Sequence, residues 1–455
     1  MACAVRRGLV LYAGSLRGRH AGTPVCCGEP SRPLQADPDG HITMLLRRVL
    51  LVSALIAACA LSLPAGAQPA HAPAAPPTCR NTGSFEAWLQ GFRKEALASG
   101  IAPATVSSAL DGMSLDNTVI SRDRKQGFFA QSFLAFSDKL VPQARIQNGL
   151  ARMNQYRNVF DRVEKEYGVP APVITAFWGL ESDYGAFVGK FPVLRALATL
   201  AYDCRRPDLF RGELLDAMRI IDHGDLSPEE MVGAWAGELG QTQFLPSHYL
   251  KHAVDYDRDG RRNLITSVPD VIASSANFLA HLGWKRGEPW LEEVRVPGNL
   301  AWDQADLAIQ HPRSKWAADG VKRADGRPLP ADNMPASLLL PMGRFGPAFL
   351  GYDNFQVFLK WNQSLTYCLT AAYLSTRLAG APPMYRGSQQ IPDLTQEQAK
   401  ELQTLLAKRG YEVGEIDGKI GAATRASVKA AQMKLGLPAD SYPTPELIDR
   451  LRGQR

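Results

Sequence analysis

The chain has 455 residues, 45% of them hydrophobic, so it is long enough to bury a large core in two or three units. Its formal charge is +6, of which residues 1–67 contribute +4 through seven arginines against three acidic residues. The remaining +2 is close to neutral and lacks a clustered basic face, which argues against a nucleic-acid partner.

An export signal is predicted in residues 44–67. The run that begins at Met44 has an arginine pair and then an apolar stretch too short for a comfortable membrane span. Residues 65–67, with the sequence AGA, form a small-residue cleavage site. We therefore predict a soluble periplasmic protein. The alternative is a lipoprotein anchored to the membrane through Cys59, which ends a lipobox-like sequence.

Three cysteines remain after the predicted cleavage point: Cys79, Cys204 and Cys368. An exported protein meets an oxidising compartment, so we expect one disulfide and one free thiol. The sequence does not choose among the three pairings.

The exported part divides into segments by composition and apolar spacing. Most of it shows helical periodicity, as Phe85, Trp88, Leu89 and Phe92 do. An exception is the stretch 291–345, where Gly and Pro become frequent and short strands or loops are predicted. The predicted segments are a Pro/Ala-rich tether at 68–82, a main unit at 83–380, a linker at 381–393 and a small helical unit at 394–455.

The strongest catalytic candidate is Glu181. It follows Ile174, Phe177 and Trp178 at the spacing of one helix face, and Gly185 is predicted to end that helix. A carboxyl group on an apolar face has a raised pKa when it is unpaired, which suits a general acid near neutral pH. A salt-bridged glutamate with a structural role is the alternative.

No second carboxylate stands out near this helix. Asp183 lies two residues on and points to a different face, and Glu238 is expected on a solvated or hydrogen-bonding surface. Ordinary glycosidases use two carboxyl groups, so an enzyme with one must take its nucleophile from elsewhere.

Several motifs in order resemble those of the membrane-bound lytic transglycosylase B family, over residues 83–380. They are GLESDYG at 179–185, ALATLAY at 196–202, GELGQTQFLPSHY at 237–249, VDYDRDGRRNL at 254–264 and SSANFLAHLGW at 274–284. The resemblance implies a mainly α, lysozyme-like fold with a small irregular or β insertion. It also implies cleavage between N-acetylmuramic acid and N-acetylglucosamine without a cofactor in the chemistry. Glu181 would protonate the glycosidic oxygen and then deprotonate the muramyl C6 hydroxyl, which leaves a 1,6-anhydromuramic acid end.

The same resemblance implies substrate-binding residues. Gln243 would hydrogen-bond the sugar near the acid, and Asn354 would be a cleft residue from the later segment. Arg205 and Arg206 would bind substrate carboxylates, and Phe278 would stack on a sugar. A surface arginine pair and a core phenylalanine are the open alternatives.

A calcium loop is a further candidate. Asp255, Asp257 and Asp259 match the first three ligand positions of an EF-hand loop, whose final glutamate is missing here. By resemblance to some family members, Asp270 would replace that glutamate and Arg261 would give its backbone carbonyl. A hydrogen-bonded aspartate turn without a metal is the alternative.

Residues 394–455 resemble the three-helix peptidoglycan-binding domain. One apolar stripe contains Leu402 and Leu406, a second contains Val428, and Gly, Asp and Thr punctuate the segment between them. We therefore predict a monomeric lytic transglycosylase whose partner is the peptidoglycan glycan strand. The alternatives are a hydrolytic muramidase on the same fold and a wall-binding protein without catalysis.

Overall fold

The computed structural model describes residues 83–124, 131–389, 391 and 393–453. The predicted signal and the whole of the predicted tether, including Cys59 and Cys79, lie outside the described residues. No helix among the described residues is long and apolar enough to cross a membrane.

Helices dominate the described chain. Those of the first part are α1 Phe85–Ala98, α2 Pro103–Leu110, α3 Asn117–Arg124, α4 Phe133–Leu140, α5 Gln143–Gln155, α6 Arg157–Tyr167, α7 Ala171–Ser182, α8 Val193–Tyr202, α9 Pro207–Asp222, α10 Pro246–His252 and α11 Val268–His281. Those that follow are α12 Arg313–Ala318, α13 Asp353–Trp361, α14 Leu365–Leu378, α15 Gln396–Ala407, α16 Ala422–Lys434 and α17 Pro445–Gly453. A single 3-10 turn covers Trp302–Gln304 within this described part.

Helix α7 lies at the centre of the helical part. Its residues 173–179 are all buried, so the helix is buried on every side and not on one face alone. Helix α14 packs along it, and the aromatic ring of Phe177 stacks on those of Phe358 and Trp361 from α13. The buried position of α7 therefore fixes the side chains at its carboxyl end.

The end of α7 differs from the prediction that Gly185 terminates the helix. The last helical residue is Ser182, and Asp183, Tyr184 and Gly185 follow with φ of 51°, 63° and 86°. Aspartate adopts this left-handed conformation more readily than most residues because its short polar side chain can form hydrogen bonds nearby. Tyr184 is held in it because its hydroxyl donates to the Arg145 carbonyl at 2.8 Å.

Two small sheets accompany the helices. Strands β1 Phe191–Pro192 and β2 Val232–Gly233 pair with each other. The second sheet is antiparallel in the order β4-β6-β7-β3-β5, and it confirms the short strands predicted in the Gly- and Pro-rich stretch. Its strands are β3 Leu291–Arg295, β4 His311–Pro312, β5 Lys322–Arg323, β6 Pro335–Leu339 and β7 Ala348–Gly351.

The central strands of this second sheet are buried on both faces. Leu339 and Phe349 pack into the helical core around α7, whereas Leu338 and Leu350 pack into a smaller core around Trp316. This division follows the two-residue alternation of side chains along a strand. The sheet therefore joins the helical core to a second hydrophobic cluster.

The three C-terminal helices pack around their own core, yet they are also anchored to the preceding chain. Arg425 of α16 donates hydrogen bonds to the carbonyls of Leu340 and Pro341, at 2.8 and 3.3 Å. Lys429 pairs with Asp306 at 2.7 Å, just before β4. The unit predicted as separate is thus docked on the sheet through specific polar contacts.

The cysteines agree with one disulfide and one free thiol. Cys204 is disulfide-bonded, and Cys368 is a buried free cysteine on α14. Burial raises the pKa of the Cys368 thiol to about 12, so this thiol stays protonated and unreactive near neutral pH.

Candidate active site

A pocket of about 310 Å³ opens at the carboxyl end of α7. It mixes carboxyl, amide, imidazole and aromatic groups, as expected of a site that orients a polar ligand against apolar walls. The residues that line it are Glu181, Ala234, Trp235, Glu238, Gln243, Phe244, Leu245, His248, Phe278, Trp361 and Asn362.

Glu181 stands in the last turn of α7 and is partly buried. Its Oε1 accepts hydrogen bonds from the Tyr367 hydroxyl and from the Trp361 indole N–H, the latter at 3.2 Å. Burial raises the pKa of Glu181 to about 7, whereas these two hydrogen bonds oppose the rise and the charge of Glu238 adds to it. A carboxyl group with this pKa can give and take a proton near neutral pH.

The segment after β2 clamps the end of α7. Ser182 donates to the Gln241 carbonyl at 2.6 Å, and the Trp178 indole donates to the Gln241 side chain at 2.8 Å. The Ser182 hydroxyl also accepts from the Gly185 N–H at 2.8 Å, across the left-handed turn. These bonds fix the end of α7 that carries Glu181, and none of them involves the Glu181 carboxyl group.

Gln243 lies in the pocket with Glu181, on a backbone of φ 52°. Its Nε2 donates to the carbonyls of Val188 and Gly240, at 3.2 and 2.8 Å. The amide is therefore oriented by the protein, and its Oε1 is the atom that can accept a hydrogen bond from a ligand.

Phe278 also lines the pocket, although only 5% of it is exposed. Its ring contacts Phe244, His248 and Trp361, with centroids 4.6–5.3 Å apart. Phe278 is therefore a core residue that also lines the pocket, and its stacking on a sugar stays a prediction.

Glu238 was predicted on a solvated or hydrogen-bonding surface, and it is partly exposed in the pocket, where the backbone N–H groups of Glu238 and Ala236 favour its ionised carboxylate. The side chain lies in the pocket wall with Glu181, where burial raises its pKa. The left-handed backbone of Gly237, with φ 95°, turns this segment inward, and no periodic pattern in the sequence indicates such a turn.

Residues 84–376 match the model of the transglycosylase SLT domain. This match covers more than half of the chain. The chain belongs to the lytic transglycosylase family. Residues 395–451 match a second model, described as a putative peptidoglycan binding domain.

Individual relatives agree with this assignment. The chain is 30% identical over 249 residues to membrane-bound lytic murein transglycosylase B of Escherichia coli K12, which covers 54% of this chain and 68% of the relative. The structure of SltB3 from Pseudomonas aeruginosa in complex with NAG-anhNAM-pentapeptide has a TM-score of 0.76 at 42% identity, over 81% of this chain and 99% of that one. The lytic transglycosylase Slt35 of E. coli in complex with calcium has a TM-score of 0.55 at 28% identity, over 64% and 92%. The predicted mainly α, lysozyme-like fold class is confirmed.

In this transglycosylase the arginine pair lies outside the lining of the pocket. Arg205 and Arg206 both bind the buried carboxylate of Asp123, at 2.7 and 2.5 Å, and Arg206 also lies over the ring of Phe210. The pair is thus partly neutralised, and both arginine side chains remain more than a third exposed. Their role in substrate binding stays a prediction.

Asn354 does not line the pocket. It is fully buried near the start of α13, where its side chain bonds the backbone of Lys285 and Glu288 at 2.7–2.8 Å. This amide therefore fastens the loop after α11 to α13. The asparagine that does line the pocket is Asn362, at the end of α13.

The predicted calcium loop brings its first three aspartates together. Ligand oxygens of Asp255, Asp257 and Asp259 lie within 4.8 Å of one another. Asp270 is buried beside them, and its carboxylate accepts from three backbone N–H groups, among them that of Asp257. Asp270 therefore braces the loop and is not a member of the oxygen cluster.

Two residues that contact Glu181 have no signal in the sequence. Tyr367 and Trp361 follow it by 186 and 180 positions, and both lie in helices whose apolar pattern indicates only core packing. Only the packing of α13 and α14 against α7 brings them to the carboxyl group.

Replacing Tyr367 with Phe tests this contact. The lost hydroxyl stabilises the charged form of Glu181, so its removal is expected to raise the pKa of Glu181 further. The descending limb of the pH–rate profile then moves to higher pH. Tyr373→Phe, on the same helix and away from Glu181, is the matched control and leaves the limb in place. An unmoved limb in Tyr367→Phe contradicts the assigned contact.

Proposed function

We propose that this chain is a periplasmic lytic transglycosylase that cleaves the β-1,4 bond between N-acetylmuramic acid and N-acetylglucosamine. The observation that carries the proposal is Glu181, a partly buried carboxyl group in a ligand-sized pocket with a pKa of about 7. Both of its hydrogen bonds fall on Oε1, so Oε2 is the atom that serves the substrate.

In the first step protonated Glu181 gives its proton to the glycosidic oxygen. The bond from that oxygen to C1 of the muramyl sugar breaks, and the substrate's own N-acetyl group stabilises the positive charge that develops at C1. In the second step the Glu181 carboxylate removes the proton of the C6 hydroxyl, whose oxygen attacks C1. The proton count returns to its start, the product is a 1,6-anhydro ring, and no water is consumed. A pKa near 7 serves both steps, since one group must act as acid and then as base.

Around this group, Gln243 and Phe278 line the pocket and we assign them to sugar binding. The Gln243 Oε1 accepts a hydrogen bond from the sugar, and the Phe278 edge contacts an apolar sugar face. Arg205 and Arg206 lie outside the pocket lining and would bind peptide or lactyl carboxylates of a longer substrate.

Export and attachment belong to the same proposal. The signal before residue 68 takes the chain to the periplasm, and the named E. coli relative is itself a membrane-bound murein enzyme. Lipidation at Cys59 is the alternative route to the membrane. The C-terminal helices bind peptidoglycan and so raise the local concentration of glycan at the pocket.

A hydrolytic muramidase is the second candidate, and Glu238 is the observation that favours it. A second carboxyl group in the pocket can in principle activate water, as in inverting glycosidases. The mass of muropeptides released from purified sacculi decides between the two. Transglycosylation gives fragments one water lighter than hydrolysis does, and hydrated reducing ends would contradict the proposal.

We also propose that Asp255, Asp257 and Asp259 hold a structural calcium ion, with the Arg261 carbonyl as a further ligand. The donor set fits because these are hard oxygen ligands gathered within 4.8 Å. The ion would fix the loop after α10 and would take no part in the proton transfers of Glu181.

Thermal unfolding tests the calcium site. Millimolar Ca²⁺ is expected to raise the Tm by about 2–6 °C, since a ligand that binds only the folded state stabilises it. Asp257→Asn abolishes most of this rise. Asp325→Asn, an exposed aspartate outside the cluster, keeps it. An equal Tm with Ca²⁺ and with a chelator in the unaltered protein contradicts the site.

A further inference from the structure

One carboxyl oxygen of Glu238 differs from the carboxyl oxygens of two other acids in the described chain. Its Oε2 is buried and has no hydrogen-bond partner among the described residues. By contrast, the buried carboxylate of Glu213 accepts from the Ser247 hydroxyl and N–H, and that of Asp270 accepts three backbone N–H groups. An unpartnered buried carboxyl oxygen destabilises a fold, so its retention in a ligand pocket indicates a functional reason.

The backbone that carries Glu238 is fixed at the pocket wall. The Glu238 carbonyl accepts the N–H of Ala234 at 2.9 Å, and the neighbouring Leu239 exchanges two backbone bonds with Phe244. A Cβ on Gly233 would lie 2.0 Å from the Glu238 carbonyl oxygen, so only glycine permits this close approach. Glu238 is therefore held in the pocket wall by its main chain.

The negative charge of an ionised Glu238 is not neutralised by a nearby cation. No salt-bridge partner lies within 4.0 Å of its carboxylate in the described structure. Burial and Glu213 raise the pKa of Glu238, whereas the backbone N–H groups of Glu238 and Ala236 and the more distant Arg206 favour its ionised form. The pocket lining contains no Lys or Arg, and burial lowers the pKa of His248, which keeps that imidazole neutral. The wall opposite the acid thus presents negative charge without a paired cation.

From this geometry we infer that Glu238 is a positioning residue for the reaction of Glu181. The negative charge of its ionised carboxylate, which has no ion-pair partner, keeps the proton on Glu181 before the reaction and stabilises the positive charge at C1 in the transition state. Glu238 neither gains nor loses a proton in either step. The inference rests on the proposed function and replaces, by an electrostatic role, the second carboxylate that ordinary glycosidases use as nucleophile or base.

The groups that surround the Glu181 carboxyl group show how Glu238 affects its protonation. Glu181 is met by Tyr367 and Trp361 on Oε1 and by the charge of Glu238 across the pocket. The two hydrogen bonds favour its ionised form, and Glu238 opposes them. Without Glu238 the balance moves toward an ionised Glu181, which cannot serve as the acid.

The test uses Glu238→Gln in the full chain, with Glu229→Gln, an exposed glutamate outside the pocket, as the control. We expect kcat for Glu238→Gln to fall about tenfold with KM within about twofold, because a charge acting on the transition state affects turnover more than binding. The descending limb of its pH–rate profile moves to lower pH by about half a unit. Glu229→Gln keeps both values.

The conservative variant Glu238→Asp retains the charge and is expected to restore the limb toward its original position. It also distinguishes an electrostatic role from a loss of folding in Glu238→Gln. Unchanged kcat and pH profile in Glu238→Gln would overturn the inference. So would a loss of hydrated products alone, since that result would make Glu238 a base for water. A full-length protein that releases no anhydro ends at all would instead contradict the proposed function.

Discussion

Replacing Glu181 with Gln is expected to lower turnover by about 10²–10⁴-fold, since the variant has no proton to give to the glycosidic oxygen. The amide oxygen of Gln can still accept from Tyr367 and Trp361, so the surroundings of the side chain are kept. The measurement is the rate at which soluble muropeptides appear from purified sacculi. Release at the original rate contradicts the catalytic assignment.

The stability of the same variant separates lost chemistry from lost folding. The folded state raises the pKa of Glu181 from 4.5 to about 7, so the folded chain binds more protons than the unfolded chain between these values. Its contribution to stability is present below pH 4.5 and is lost as pH rises through about 7. Glu181→Gln is therefore expected to unfold at a higher temperature than the original protein at pH 8, and the difference shrinks at pH 4.5. A lower Tm at pH 8 would show that the inactive variant is misfolded.

Deleting residues 386–455 is expected to lower retention on sacculi by about tenfold or more, because the second binding site of a bivalent protein is lost. Turnover of short soluble glycan fragments is expected to fall much less, since the pocket residues all precede the cut. Sedimentation with sacculi and kinetics on a soluble fragment measure the two effects. Equal loss of both contradicts a separate wall-binding role for the C-terminal helices.

The docking contacts supply a control for this deletion. Replacing Arg425 and Lys429 with Ala removes the bonds to Leu340, Pro341 and Asp306 while it keeps the C-terminal helices in the chain. This variant is expected to retain sacculus binding and to show a lower Tm. A loss of binding equal to that of the deletion would mean that docking, and not the helices themselves, creates the wall-binding surface.

Much of the architecture is predictable because it depends on local patterns. The helix that carries Glu181 and the strands around Val294 and Leu338 follow from apolar spacing and from the distribution of Gly and Pro. Gly185 misleads because glycine is the usual residue at a helix end, whereas Asp183 takes the left-handed position here.

The parts that sequence could not supply depend on contacts between distant segments. Tyr367 reaches Glu181 only through the packing of α14 on α7, and Glu238 enters the pocket only through a turn at a glycine. Asn354 was expected in the cleft, but its amide bonds a nearby loop, and no spacing rule distinguishes these two uses. The C-terminal helices dock through polar side chains such as Arg425. In the sequence, such a residue looks the same as an ordinary solvent-exposed arginine.

The most direct test of the central claim is the oxygen balance of the cleavage. Purified sacculi are digested by the chain from residue 68 onward in water enriched in H₂¹⁸O, and the new glycan ends are analysed by mass spectrometry. Because the C6 hydroxyl of the substrate closes onto C1, we predict anhydro ends that carry no heavy oxygen and that weigh one water less than the hydrolytic product. Reducing ends that each carry one heavy oxygen atom would contradict the account and would identify the chain as a muramidase.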